Sequence, residues 1–120
     1  MARVVVGLVL VTVLGCGPTG YNGSCDERNT AEKKCTEYSD VGALFVSSYS
    51  SGCKITGTWS ATEHCSRTNV VGGCESKVSD NTSGTMIVWY YPGFGPSGMD
   101  DLTALQTLYC KDPGETVVMP

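Results

Sequence analysis

The chain has 120 residues, enough for one modest domain whose core alone gives thin stability. Twelve acidic residues outnumber eight basic ones, giving a net charge of −4. No cluster of lysine and arginine forms the basic stripe that nucleic-acid binding needs, so no nucleic-acid partner is expected.

The first element is a leader. Met1-Ala2-Arg3 carries one positive charge, Val4–Leu14 is apolar or small, and Val13-Leu14-Gly15-Cys16-Gly17 follows. As a helix, Val4–Leu14 would reach only about 16 Å, against a hydrocarbon core of ~30 Å. Its length, charge and small residues describe an export signal over residues 1–15. With cysteine directly after the cut, the segment resembles the lipobox of bacterial lipoproteins, cleaved by signal peptidase II before a cysteine modified with diacylglycerol. The resemblance implies lipid on Cys16, a membrane partner reached through that lipid, and a mature chain of 105 residues (120 less 15). Loss of Arg3 leaves seven basic against twelve acidic residues, a net charge of −5. Anionic headgroups would repel such a domain, so attachment falls to the acyl chains, and two or more of those anchor stably.

Residues 16–24, with Gly17-Pro18-Thr19-Gly20, read as the lipidated cysteine and a flexible tether, and 25–120 as a small disulfide-rich domain. Cys35–Ser39 is a strand candidate. Val41–Ser51 is ambiguous: Leu44, Phe45, Ser48 and Tyr49 form a helical stripe, yet Phe45–Tyr49 has strand propensity. A weak internal repeat favours helix. Cys53-Lys54-Ile55-Thr56-Gly57 and Cys110-Lys111-Asp112-Pro113-Gly114 share C-K-x-x-G, each after an apolar segment and before a β-prone one. Both halves thus suggest strand, helix, cysteine, glycine turn, strand, with the glycine suited to a left-handed helix cap. Further strands are expected over Thr58–Ala61, Asn69–Glu75 and Thr116–Met119, and a polar loop over Ser76–Gly84. Met86–Tyr91, almost continuously apolar and aromatic, reads as a central strand buried on both faces and stopped by Pro92-Gly93. Ser97-Gly98-Met99-Asp100 resembles a capping box, with Asp100 and Asp101 near the positive helix end. Met99, Leu102, Leu105, Leu108 and Tyr109 then follow helical spacing to Cys110.

With Cys16 assigned to lipid, six cysteines remain: Cys25, Cys35, Cys53, Cys65, Cys74 and Cys110. An even count in a short exported chain points to three disulfides, each contributing roughly 2–4 kcal/mol. Their gaps contain no C-x2-C or C-x4-C pair, and His64 has no partner at finger-like spacing, so neither a metal nor another cofactor is expected. Spacing leaves the connectivity open; a Cys53–Cys65 bridge across one strand is the first expectation. The predicted architecture is α+β, a small antiparallel sheet covered by two helices and stapled by about three disulfides.

Catalytic signals are weak. Glu63-His64-Cys65-Ser66 puts carboxylate, imidazole and hydroxyl side by side, but neighbours in sequence rarely converge on one atom. An enzyme would need a cleft joining His64 to a distant acid, and the expectation is no enzyme. Asp100-Asp101 reads as a dipole complement. Trp59, Tyr90, Tyr91 and Phe94 suit either a core or a binding face. Phe94, in the turn Pro92-Gly93-Phe94-Gly95-Pro96, is the candidate binding loop because little core is expected to bury it.

Cys35-Thr36-Glu37-Tyr38, Gly57-Thr58-Trp59-Ser60, Val71-Gly72-Gly73-Cys74 and Trp89-Tyr90-Tyr91-Pro92 are similar to segments of small cysteine-rich lipoproteins of Gram-negative bacteria. That resemblance implies placement in the cell envelope and carries no catalytic residue. Gly17, rather than aspartate, after the lipidated cysteine implies the outer membrane, facing periplasm or surface. The expected function is a lipid-anchored, non-enzymatic binding or structural module with an envelope protein as possible partner. The alternative is an exported inhibitor of a hydrolase, a lysozyme or protease, that inserts an exposed loop.

Overall fold

The computed structural model describes residues 20–78 and 84–120; the leader, Cys16 and part of the expected polar loop lie outside them. In chain order the elements are β1 (Tyr21–Glu27), β2 (Lys34–Ser39), α1 (Ala43–Thr56), β3 (Thr58–Ser60), β4 (Gly72–Lys77), β5 (Thr85–Tyr90), α2 (Asp101–Ala104) and β6 (Thr116–Val118). A π-helical turn, Leu105–Tyr109, continues α2. The strands form one sheet in the order β3-β1-β2-β5-β4-β6, every neighbouring pair antiparallel. Three cysteine pairs stand at disulfide distance: Cys25–Cys53, Cys35–Cys65 and Cys74–Cys110. This is the expected small α+β fold.

The weak repeat becomes a structural one. Each half runs strand, strand, helix, strand, and the sheet order reads outward from β2–β5 in the same way on both sides. Cys25 sits opposite Thr36 and Trp59, and Cys74 opposite Val88 and Val117. Thr36 and Val88 are themselves paired, which puts a pseudo-twofold axis at that point. Cys25–Cys53 and Cys74–Cys110 are then equivalent staples, and Tyr38 is the counterpart of Tyr90.

Alternation along the strands sorts the side chains onto two faces. Cys25, Thr36, Tyr38, Val88, Tyr90 and Cys74 share one face, where both helices are tied down through Cys53 and Cys110. Cys35, Glu37, Ile87 and Trp89 point to the other. There the segment between β3 and β4 crosses, and Cys65 bridges to Cys35 beneath it. The expected Cys53–Cys65 bridge is therefore overturned: the two cysteines lie on opposite faces of the sheet. Two cores result. One joins Cys74, Phe94, Ala104, Leu105 and Cys110; the other joins Cys35, Cys65, Trp89 and Tyr91.

Other expectations shift locally. Tyr21–Ser24, expected to be part of a flexible tether, belong to β1 instead. Asn22 forms a bulge there, and its side-chain amide pairs with Val41 in both directions, at 2.8 and 3.2 Å. Gly23 next to it has φ +148, and a Cβ would meet the Trp59 ring at 2.5 Å. The segment expected over Val41–Ser51 is helical, as the repeat suggested, but it starts at Ala43 and runs later, to Thr56. Gly57 takes an extended conformation instead of the expected left-handed cap; glycine is needed because a Cβ would lie 2.6 Å from the Asp26 carbonyl. The second helix is capped by Asp100, whose carboxylate accepts the Thr103 N–H at 3.1 Å, so the predicted box begins three residues too early. Its stripe also breaks: Ala104 and Leu105 are fully buried while Met99, Leu102 and Leu108 are exposed; Met99 precedes the helix, and Leu108 falls in the π turn that displaces it from regular spacing. β5 is central as predicted, but only Trp89 in it is fully buried. The helices stand over the outer strands, α1 on β1 and β3 and the π turn on β4, leaving the middle of that face half-open.

Candidate functional site

The half-open middle of the helix-bearing face carries two tyrosine pairs, whose strand members Tyr38 and Tyr90 are related by the pseudo-twofold. Tyr38 from β2 stacks on Tyr49 from α1 at 4.5 Å between ring centres, and Tyr90 from β5 meets Tyr109 from the π turn at 5.0 Å. Burial pushes both strand hydroxyls up to about 12, each further raised by its partner tyrosine. They therefore remain neutral donors at any physiological pH.

The second pair opens into the more developed groove. Phe94 packs 4.7 Å from Tyr90 and edge-on to Tyr109 at 5.1 Å, while the Tyr109 hydroxyl donates to the Phe94 carbonyl at 3.1 Å. Together with Ala31, Glu32 and Lys34 these rings line a groove of about 320 Å³. An ion pair between Lys34 and Glu32 forms its charged rim. Small-ligand and peptide sites have this make-up, an aromatic floor with few polar groups at the edge. Around the first pair a shallower hollow of about 220 Å³ is lined by Glu27, Ser48 and Cys53 as well as the tyrosines.

Phe94 is thus placed differently from expectation. It is 7 % exposed and belongs to a core, because α2 and the π turn bring Ala104, Leu105 and Tyr109 against it. Its loop has no protruding aromatic; the ring is the floor of the groove instead. Trp59 and Tyr91 lie elsewhere, Trp59 beside Tyr38 and Tyr91 in the opposite core, its hydroxyl donating to the Ser66 carbonyl at 2.5 Å.

On the other face the structure does bring His64 to a distant acid. Glu37, buried in β2, lies with Oε2 3.6 Å from His64 Nδ1, beside a cleft of about 260 Å³ lined by Ser24, Ser60, Glu63, His64 and Ser66. Glu37 has other duties, however. Its carboxylate accepts the Cys65 N–H at 2.8 Å and both terminal nitrogens of Arg67 at 2.9 and 3.2 Å. Burial opposes the charge, and the Arg67 fork, the Cys65 N–H and His64 outweigh it, holding the carboxyl below its ordinary value. Arg67 also lies 4.0 Å over Trp89, whose indole N–H is buried with no partner among the described residues. The serines of the cleft bond to backbone. Ser24 donates to the Glu63 carbonyl at 2.8 Å, Ser60 accepts from Thr62 and Glu63, and Ser66 accepts from Thr68. His64 itself stacks on Tyr21 at 4.0 Å. This constellation is a clasp that holds the crossing segment on the sheet.

Sequence reasoning missed Glu37, Arg67, Tyr49 and Tyr109 as parts of either site. Glu37 had one signal: it alternates with Cys35, which puts an acid on a buried face. Asp100 serves as helix cap, and Asp101 follows it in the first turn. No protein-family model, curated protein or solved structure matches this chain.

Proposed function

We propose that the protein is a lipid-anchored envelope lipoprotein whose stapled sheet is a non-enzymatic binding module, with the Tyr90–Phe94–Tyr109 groove as its partner site. The observation that carries this reading is the groove itself: three rings held by an interlocked core and a disulfide, opening beside the β1–β2 turn with one ion pair at the rim. Rings fixed in advance cost little ordering on binding. The commitment of the Glu37 carboxylate to Arg67 and the Cys65 N–H, and of the Ser24 hydroxyl to the Glu63 carbonyl, supports a binding role over a hydrolytic one. The anchor is the lipid on Cys16, and the outer membrane is its place, facing the periplasm or the surface. An envelope protein with an exposed aromatic or proline-containing segment is the chemistry that would fit.

A photo-crosslinking residue at Ala31, on the groove rim, tests the site in intact cells. A discrete adduct that disappears in Tyr109→Ala, while all three disulfides still form, is the expected result. An adduct of equal strength in Tyr109→Ala, or none at all, would remove the groove as the partner site.

A further inference from the structure

Helix α1 has two unlike faces. Val46, Tyr49 and Cys53 follow i, i+3, i+7 spacing toward the sheet, where Cys53 is buried and Tyr49 stacks on Tyr38. On the opposite side Leu44 is 87 % exposed and Ile55 83 % exposed. These two are eleven residues apart, so they fall within about 20° of one another around the axis and about 16 Å apart along it. Between them on the same stripe is Ser51, with Ser48 on the side that borders the Tyr38–Tyr49 hollow and Phe45, 44 % exposed, at the edge. An outward stripe with aliphatic ends and only serine between them is not an ordinary water-facing helix surface.

Charge marks the same helix. The chain holds twelve acidic residues, but α1 contains none, and its single charge is Lys54 beside Ile55. Lysine next to an apolar stripe can lay its stem along the stripe and keep its ammonium at headgroup level. The other exposed apolar side chains of the helix layer, Met99, Leu102 and Leu108, flank Asp100 and Asp101, which does not suit a membrane. Of the described helices α1 and α2, α1 alone carries no acid, and the nearest carboxylates, Asp40 and Glu27, stand beyond its two ends, bonded to Gly20 and Thr56.

The described chain begins at this helix. Gly20 donates to the Asp40 carboxylate at 3.1 Å and accepts the Asp40 N–H at 2.7 Å, and Asn22 is bonded to Val41. Asp40 is three residues before α1 starts. From Cys16 to Gly20 the chain can span at most about 14 Å. A lipid on Cys16 therefore holds the Leu44 end of α1 within a short reach of the bilayer.

We infer that the outer face of α1, Leu44 to Ile55 with Lys54 beside it, rests on the phospholipid bilayer and so fixes the orientation of the domain. The inference depends on the lipid-anchor reading of Cys16. An apolar stripe this small would bind a membrane weakly by itself, but the tether makes contact an intramolecular event with a high effective concentration. The same orientation turns the charged clasp of Glu37, His64 and Arg67, on the opposite side of the sheet, away from the lipid.

The test uses the full lipidated protein, extracted from membranes and reconstituted into phosphatidylcholine vesicles with or without bromine on the acyl chains. Single additions of tryptophan at Leu44→Trp, Ile55→Trp and, on the other face, Thr68→Trp report contact through quenching relative to the parent protein. The inference expects most of the added emission at positions 44 and 55 to be lost in brominated vesicles and that at 68 to survive. Vesicle-bound protein with equal quenching at all three positions would overturn the orientation while leaving the anchor intact. Protein that does not float with the vesicles would overturn the anchor, and the orientation with it.

Discussion

Glu37 is the residue on which the second face depends. Replacing it with glutamine keeps the shape but removes the charge that Arg67 and the Cys65 N–H are arranged around. Arg67 is 42 % exposed and remains partly solvated, so the cost is expected at about 1–3 kcal/mol, below that of a fully buried pair. Denaturant unfolding of Glu37→Gln checks it. Because the native state holds this carboxyl below its ordinary value of 4.5, the stability it contributes is complete above that pH. It is lost as pH falls further, through the lower native value. The wild type is therefore expected to lose stability below about pH 4.5, and Glu37→Gln to lose less over the same interval. Tyr38 and Tyr90 act at the other end of the scale. Their raised values favour the native state below pH 10, and that contribution fades as pH rises toward about 12. Tyrosinate absorbance should show two hydroxyls titrating well above the ordinary range while the fold persists. A single ordinary transition for all six tyrosines would contradict the burial described.

At the scale of elements, the helices illustrate what spacing can and cannot say. Val41–Ser51 was locally undecided between helix and strand, and the C-K-x-x-G repeat resolved it, because equivalent cysteines must reach equivalent strands. The strand β1 escaped notice because Asn22-Gly23-Ser24 has turn composition; a bulge and an amide that mimics a strand ladder override that preference. The groove was hidden for a related reason. Phe94 reads as exposed from its Gly/Pro turn alone, and the π turn that packs against it has no sequence signature. Glu37 and Arg67, thirty residues apart, meet only because β2 runs beneath the crossing segment. The disulfides test the element layout directly. Peptide mapping without reduction should recover Cys25–Cys53, Cys35–Cys65 and Cys74–Cys110. Removing either equivalent helix staple, Cys25/Cys53 or Cys74/Cys110, as a pair of alanines is expected to cost about 2–5 kcal/mol. Recovery of Cys53–Cys65 would contradict the two-faced sheet.

For the whole molecule, the two halves make a single sheet whose sides have different roles. One side carries the helices, the tyrosine pairs and the groove; the other carries the charged clasp that secures the crossing segment. The short outer strands β3 and β6, three residues each, leave little edge for unwanted pairing. The chain enters this body beside α1, and Cys16 lies four residues before the first bonded glycine. The proposed orientation and membrane placement rest on that cysteine carrying lipid. The decisive measurement is metabolic labelling with a palmitate analogue in cells expressing wild type or Cys16→Ser. The account predicts strong label on the wild type and none on Cys16→Ser, with that variant also retaining its leader. Label of equal strength on both, or none on the wild type, would contradict it.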